Sequence, residues 1–331
     1  MDGFKALLVK EENGAVVCSL EEITTEQLSP GNVLIKVAYS SVNYKDYLAV
    51  QTGGGVIRNY PMIPGIDLSG TVVSSEDDRF QTGQEVLVTG FQMGMSHTGG
   101  YAEYARIPAD WIVPLPAGLS LRDAMVIGTA GFTAALSINA LESAGMNPEN
   151  NPEILVTGAA GGVGSIAVQL LARSGYRNIN ALSKNAQKDE AVLKALGAAA
   201  VLSVEDVVPE KVRPLGTQRF HYVLDVVGGG IASALLPQIH YGGSMSMCGN
   251  AGGVSIQTTV MPFILRGVNL LGIDSVNYPA AGRPAIWERF AGQWHVMADS
   301  IVREVGLSDL PQVFDEIRQG THMGRNIVKH G

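Results

Sequence analysis

Ile154-Leu-Val-Thr-Gly-Ala-Ala-Gly-Gly-Val-Gly164 decides the fold, and an amphipathic run from Ser165 to Ser174 follows it at once. A short apolar strand, a glycine turn and a helix form the arrangement that seats a dinucleotide pyrophosphate on a helix N-terminus. Gly161 is expected to allow the tight turn, and Gly162 to let the backbone approach the phosphates next to Val163. Gly164 would let the helix pack closely on the strand. The strand before and the helix after give the glycines their meaning, because glycines alone also collect in ordinary loops.

The second strand of such a unit ends about twenty residues further on. Here Asn178-Ile-Asn-Ala-Leu182 runs into Ser183-Lys184-Asn185, with no acidic residue until Asp189. A carboxylate at this strand end would hold the ribose 2′-hydroxyl of NAD and repel a 2′-phosphate. Ser183 as hydrogen-bond donor and Lys184 as positive charge point instead to NADP(H).

Working outward, residues 1–115 read as short β-strands with turns. The segments 33–39, 68–73 and 85–89 are rich in β-branched residues and are punctuated by Gly53-Gly-Gly55, Pro64-Gly65 and Gly99-Gly100. From about Leu121 the pattern alternates. Strands are expected at 154–157, 178–182, 200–202, 221–227, 243–248 and 268–273, with helices near 163–174, 186–196 and 231–239. Six such strands in this order predict an α/β fold with a doubly wound, Rossmann-type parallel sheet. Amphipathic runs over 123–144 and 285–303 read as connecting helices, Glu210–Arg219 as an exposed loop, and Asn326–Lys329 as a last strand returning to the first domain. The expected division is a β domain over 1–122, completed by 299–331, and a nucleotide-binding domain over 123–298.

The composition fits a well-buried enzyme. Of 331 residues, 46% are hydrophobic and 16% charged, and the net charge of −8 speaks against a nucleic-acid partner. The sequence predicts neither a membrane-spanning apolar run nor a signal peptide at Met1-Asp-Gly-Phe-Lys5. Cys18 and Cys248 are far apart and form no CxxC, so a reducing cytoplasmic setting is expected.

Further motifs make the chain recognisable. They are Ser41-Val-Asn-Tyr-Lys-Asp46, Pro61-Met-Ile-Pro-Gly-Ile-Asp67 with Gly70, Gly99-Gly-Tyr-Ala-Glu103, Gly128-Thr-Ala-Gly-Phe-Thr133 and Pro262-Phe-Ile-Leu-Arg266 running into Leu271–Ser275. Together with the glycine turn they resemble the medium-chain dehydrogenase/reductase superfamily over the whole chain. Within it they resemble the YhdH/YhfP branch of the quinone-oxidoreductase subfamily, which includes enzymes that reduce acrylyl-CoA to propionyl-CoA. The resemblance implies a GroES-like β-barrel for the first domain. It also implies a homodimer, through the apolar stretch 260–276 that ends the sheet.

Measured against the zinc-dependent relatives, the metal positions are lost. The first ligand cysteine falls at Asn43, the ligand histidine at Ile66, and the second cysteine near Thr129 or Ala130. Catalytic zinc needs three N, S or O ligands, so the chain is expected to work without metal. The chemistry left is hydride transfer to an activated C=C or a quinone, with oriented donors near the carbonyl oxygen and a proton source. The resemblance places the active-site turn at Asn43, Tyr44, Lys45 and Asp46. Asn43 would orient cofactor or substrate amides, Tyr44 would donate a hydrogen bond or proton, and both would face charge developing in the transition state. Asp46 and Asp67 either join the catalysis or hold the turn, Asp67 then paired with Arg325 or Lys45. Thr129 and Thr133 would sit near the nicotinamide. Val227, and Cys248-Gly249-Asn250, lie on loops at strand ends where ligands bind, and Arg325 would close over the cofactor. His97 and Tyr101 are candidates for the substrate mouth, and Lys45, Arg58 and Arg283 for CoA phosphates. The expected function is NADPH-dependent reduction of an enoyl thioester, acrylyl-CoA first. A quinone or enone reductase, or a non-catalytic NADPH-binding sensor, is the alternative.

Overall fold

The computed structural model describes residues 3–295 and 299–331. The chain forms two compact units, one of residues up to Thr129 together with Ser275–Gly331, the other of Ala130–Asp274. Along the chain come strands β1 (Phe4–Glu12), β2 (Ala15–Ile23) and β3 (Val33–Ser41), the short helix α1 (Tyr44–Ala49), then β4 (Asp67–Ser75), β5 (Glu85–Thr89), β6 (Tyr104–Ile107) and β7 (Ile112–Pro114). Helix α2 spans Leu121–Ser143. The alternation follows as β8 (Ile154–Val156), α3 (Gly162–Arg173), β9 (Ile179–Leu182), α4 (Ala186–Ala195), β10 (Ala200–Leu202), α5 (Val204–Val207), β11 (Phe220–Asp225), α6 (Gly229–Leu235), β12 (Ile239–Met247), α7 (Met261–Arg266) and β13 (Asn269–Gly272). The chain ends with α8 (Arg283–Ala291), β14 (Val302–Val305), α9 (Leu310–Gln319) and β15 (Arg325–Lys329).

In the first unit β1 and β2 form a hairpin whose turn, Asn13-Gly14, takes positive φ at both residues (52° and 78°), the geometry that Asn-Gly favours. A second sheet runs β14-β15-β3-β4-β5-β7, with β6 paired to β3. Strand β3 carries β4 along one edge, while β6 and β15 share the other, β6 at Val33–Lys36 and β15 at Tyr39–Ser41. The tail therefore returns to the first unit, as its sequence predicts. Val33, Ile35 and Val37 alternate into a core with Leu68, Val72, Val86 and Val88, the period of two expected of a half-buried strand. A second core packs Phe4 and Leu7 of β1 on Leu310, Val313 and Phe314 of α9.

The second unit is a six-stranded sheet in the order β10-β9-β8-β11-β12-β13, with every pair parallel. Its strands begin and end within four residues of the expected positions, and β10 matches at both ends. Strand order reverses between β8 and β11, the switch point at which ligands bind in such folds. Leu155, Val223 and Met245 are fully buried within it. Residues 210–219 carry no helix or strand.

Four expectations need correction. Helix α2 matches the run over 123–144, but Gly128 (φ 51°, ψ −159°) breaks it. The same segment is long and apolar enough to cross a membrane by length and composition; 89% of its apolar window is buried within the protein, which marks a core helix. The connecting helix over 285–303 is not one element. It stops at Ala291, before Gly292 with its non-helical φ −110° and ψ −105°, and β14 starts at Val302; residues 296–298 lie outside the described residues. Lastly, the chain re-enters the first unit at Ser275 rather than at 299. Arg283 explains this: its buried guanidinium donates to the Thr89 carbonyl and hydroxyl and to the carbonyls of Ser275 and Val276.

Candidate functional site

The glycine turn of the second unit follows β8. Its left-handed residue is Gly158 (φ 56°), so the tight turn falls there and not at Gly161, which is extended and serves as the N-cap of α3. A Cβ on Gly164 would lie 2.4 Å from the Gly158 oxygen, so the close helix–strand approach does depend on that glycine. No side chain caps α3, and no acidic residue occupies its first turn. Its first N–H groups and the positive end of its dipole are thus left for an anion, with Gly161, Gly162 and Val163 half-exposed around them.

At the switch point the Thr157 hydroxyl donates to Asp225 Oδ1 at 2.7 Å and accepts the Val226 N–H at 2.9 Å. Asp225 also accepts the N–H groups of Val227 (3.3 Å) and Gly228 (2.8 Å). Burial raises its pKa from the ordinary carboxylate range, against these hydrogen bonds. This pair shapes the Val227 loop, and the sequence reading missed it because Thr157 and Asp225 lie far apart in the chain. Gly249 lets the neighbouring loop come close, since a Cβ there would meet the Val226 carbonyl. Asn250 is exposed beyond it. Burial pushes the Cys248 thiol up to about 12, so it is a packed residue and no nucleophile. Thr133 is buried in the same unit, its carbonyl accepting the Ser137 hydroxyl.

Past β9, Lys184 and Asn185 are exposed. Ser183 is buried, and its hydroxyl donates to Asp189 Oδ2 at 2.5 Å. The proton assigned to a 2′-phosphate is therefore spent within the protein, on an acid that the sequence places too far along to suspect.

The first unit collects the other candidates. Asp67 is fully buried and accepts the Ser41 N–H (3.0 Å) and hydroxyl (2.7 Å), Asn43 Nδ2 (3.1 Å) and the Thr129 N–H (2.9 Å). Asp46, the third residue of α1, is fully buried too. It accepts the Asn43 N–H (2.9 Å), Asn43 Nδ2 (3.2 Å) and the Ile66 N–H (2.9 Å). Burial, with the charge of Asp67 second, raises Asp46 to about 7. The Asn43 amide nitrogen thus faces two carboxylates, so its donor hydrogens are taken up within the protein. That corrects its expected place as a donor facing developing charge. Tyr44 has 43% of its surface exposed.

Arg325 lies at the broken helix. Its guanidinium donates to the carbonyls of Val126 (2.9 Å) and Met125 (3.3 Å), which the break at Gly128 strips of helical partners, and to the Val42 carbonyl (3.1 Å) just before α1. It is 2% exposed, so it clamps the backbone and does not close over a cofactor. Asp67 takes the N–H of Thr129 just past the break, so each charge meets the helix end of opposite sign. Asp67 thus accepts hydrogen bonds from Ser41, Asn43 and Thr129, and its charge supports that of the buried Arg325 beside it. Tyr101 is sealed in the core and donates to the Ser41 carbonyl. His97 is buried too, both ring nitrogens against the carbonyls of Thr98 and Pro30 and its ring on Trp111. Neither lines a substrate mouth. Arg283 is 1% exposed over the Phe91 ring, which removes it as a CoA contact. Arg58 is exposed and Lys45 half-buried.

The alcohol dehydrogenase GroES-like domain family matches residues 29–117, and the zinc-binding dehydrogenase family matches residues 162–291. The chain belongs to the medium-chain dehydrogenase/reductase superfamily: an oxidoreductase with a GroES-like domain and a Rossmann-type domain. Within it, the chain falls in the branch of quinone oxidoreductases and acrylyl-CoA reductases. It is 43% identical to the acrylyl-CoA reductase AcuI of Ruegeria pomeroyi, over 98% of each chain. It is 47% identical to Bacillus subtilis YhfP, provisionally named a quinone oxidoreductase, again over 98% of each. The crystal structure of that protein with NAD bound superposes at a TM-score of 0.94, covering 100% of both chains at 48% identity. The yhdH oxidoreductase of Salmonella enterica in complex with NADP superposes at 0.93, with 46% identity over 99% of this chain and 100% of that one.

The zinc of the second family's description finds no fitting donor set. Ile66 cannot ligate, the Asn43 amide nitrogen is held by Asp46 and Asp67, and no group of three or more His, Cys, Asp or Glu among the described residues could hold a metal.

Proposed function

We propose that the chain is an NADPH-dependent, zinc-independent reductase of an activated carbon–carbon double bond, acting first on acrylyl-CoA to give propionyl-CoA. One observation carries the reading: a nucleotide-binding turn on an uncapped helix shares the chain with an active-site turn whose donors cannot hold zinc. When bound, NADPH supplies a hydride for the β-carbon. The chain's own part is binding and proton supply. Gly161, Gly162 and Val163 would hold the pyrophosphate at the start of α3, and Lys184 the 2′-phosphate. Val227, Cys248, Gly249, Asn250, Thr129 and Thr133 would border the rest of the cofactor. Tyr44, the exposed phenol of the active-site turn, would donate to the thioester oxygen or to the α-carbon, while Asp46 and Asp67 fix the turn from beneath. The likeness to AcuI supports the thioester, and the exposed Arg58 offers a charge to a CoA phosphate. The likeness to YhfP supports a second reading, a quinone or enone reductase with the same hydride step. A homodimer and a reducing cytoplasmic setting belong to the same proposal.

NADPH oxidation measured in parallel with acrylyl-CoA, crotonyl-CoA and a simple quinone, before and after prolonged chelation, tests it. Acrylyl-CoA should give the highest kcat/KM, and chelation should change nothing. A faster quinone would favour the second reading. Activity lost to EDTA and restored by zinc would overturn the metal-free site.

A further inference from the structure

Ser183 stands where a side-chain hydroxyl is expected to meet a 2′-phosphate, yet its hydrogen points the other way. It donates to Asp189 Oδ2 at 2.5 Å, and its oxygen accepts the Asn185 N–H at 3.1 Å. Both side chains are buried, Ser183 at 4% and Asp189 at 3% exposure. The Asp189 N–H bonds the Asn185 carbonyl, so the pair locks the loop 183–185 onto the first turn of α4. A serine in this state offers a ligand only the remaining oxygen lone pair. A lone pair suits a hydroxyl, which can donate to it, and repels a phosphate. The Asp189 carboxylate adds negative charge behind the serine. Lys184, exposed on the same loop, is left to attract the phosphate.

We propose that Asp189 is a specificity-determining positioning residue: by holding the Ser183 proton it weakens the grip on a 2′-phosphate and keeps the loop open to a dinucleotide with a free 2′-hydroxyl. The preference for NADPH then comes from Lys184 acting against Ser183, not with it. This rests on reading 183–185 as the loop that meets the ribose end of the cofactor.

Fluorescence titration of the full chain with NADPH and with NADH gives the ratio of the two dissociation constants, NADH over NADPH. Asp189→Asn can donate to Ser183 Oγ, which turns the hydroxyl proton outward and removes a charge, so the ratio should rise about tenfold. Asp189→Ala removes the acceptor and should raise it too, which covers a failure of the Asn variant to fold. In a Ser183→Ala background the effect of Asp189→Asn should shrink to about threefold or less, because only the charge is then lost. Lys184→Ala should lower the ratio in every background. A ratio unchanged or lowered in both Asp189 variants, with Lys184→Ala still lowering it, overturns the role of Asp189 alone. Indifference to Lys184→Ala as well overturns the reading of the loop.

Discussion

Tyr44 begins helix α1 with 43% of its surface exposed, while Asp46, two residues on, is sealed. One turn thus presents a phenol outward and keeps a carboxylate beneath it. If the phenol donates in the transition state, Tyr44→Phe should lower kcat with acrylyl-CoA by about 10²-fold and leave NADPH affinity nearly unchanged. A Phe variant with most of its turnover makes solvent the proton donor. Asp46 gives a different readout. Its folded pKa is raised from 3.8 to about 7, by burial first and Asp67 second. Between those values the folded chain keeps a proton that the unfolded chain has released, so stability falls as pH rises, at up to about 1.4 kcal/mol per pH unit. Melting temperature measured from pH 4 to 8 should fall less steeply in Asp46→Asn than in the wild type. Equal slopes would show that Asp46 carries its charge throughout. The sequence motif named both residues but could not orient Asn43, because its direction depends on Asp67, which arrives from β4.

Helix α2 shows what an apolar pattern hides. Its run of buried residues reads as continuous, and a single glycine within it need not end a helix. The break at Gly128 is imposed by groups distant in sequence, with Asp67 at one broken end and Arg325 at the other. A Cβ on Gly128 would lie 2.7 Å from Ser41 Oγ and 2.8 Å from both Asp67 Oδ2 and an Arg325 nitrogen, at a φ of 51° that side chains rarely adopt. Gly128→Ala should therefore cost about 2–4 kcal/mol in denaturant unfolding. A loss below about 1 kcal/mol would mean that the clamp is loose. The β8–β13 strands were legible for the opposite reason. They are short, apolar and bracketed by turn residues, so local sequence carries their boundaries. The amphipathic pattern of the 285–303 run belongs to α8, whose Ile286, Trp287 and Phe290 are buried, and Gly292 ends it before β14 begins.

Strand β13 ends the six-stranded sheet, and helix α7 precedes it. Val260 (64%), Met261 (39%), Ile264 (68%), Leu265 (53%) and Leu270 (37%) stand exposed in this one stretch, whereas the other exposed large apolar side chains among the described residues are scattered along the chain. An unpaired strand edge bordered by apolar side chains invites pairing with another chain. A second copy can offer the same surface across a two-fold axis, so that each edge satisfies the other. The expected assembly is a homodimer, and a stable one would bury about 800 Å² on each partner, of which this stretch would form the apolar centre. Light scattering at micromolar concentration should give twice the mass of 34.9 kDa. Ile264→Glu combined with Leu265→Glu puts two like charges into that centre, and should yield a folded monomer that still binds NADPH, since neither residue is among those assigned to the cofactor. A wild type that scatters as a monomer removes the dimer. A double variant that stays dimeric moves the interface to another face.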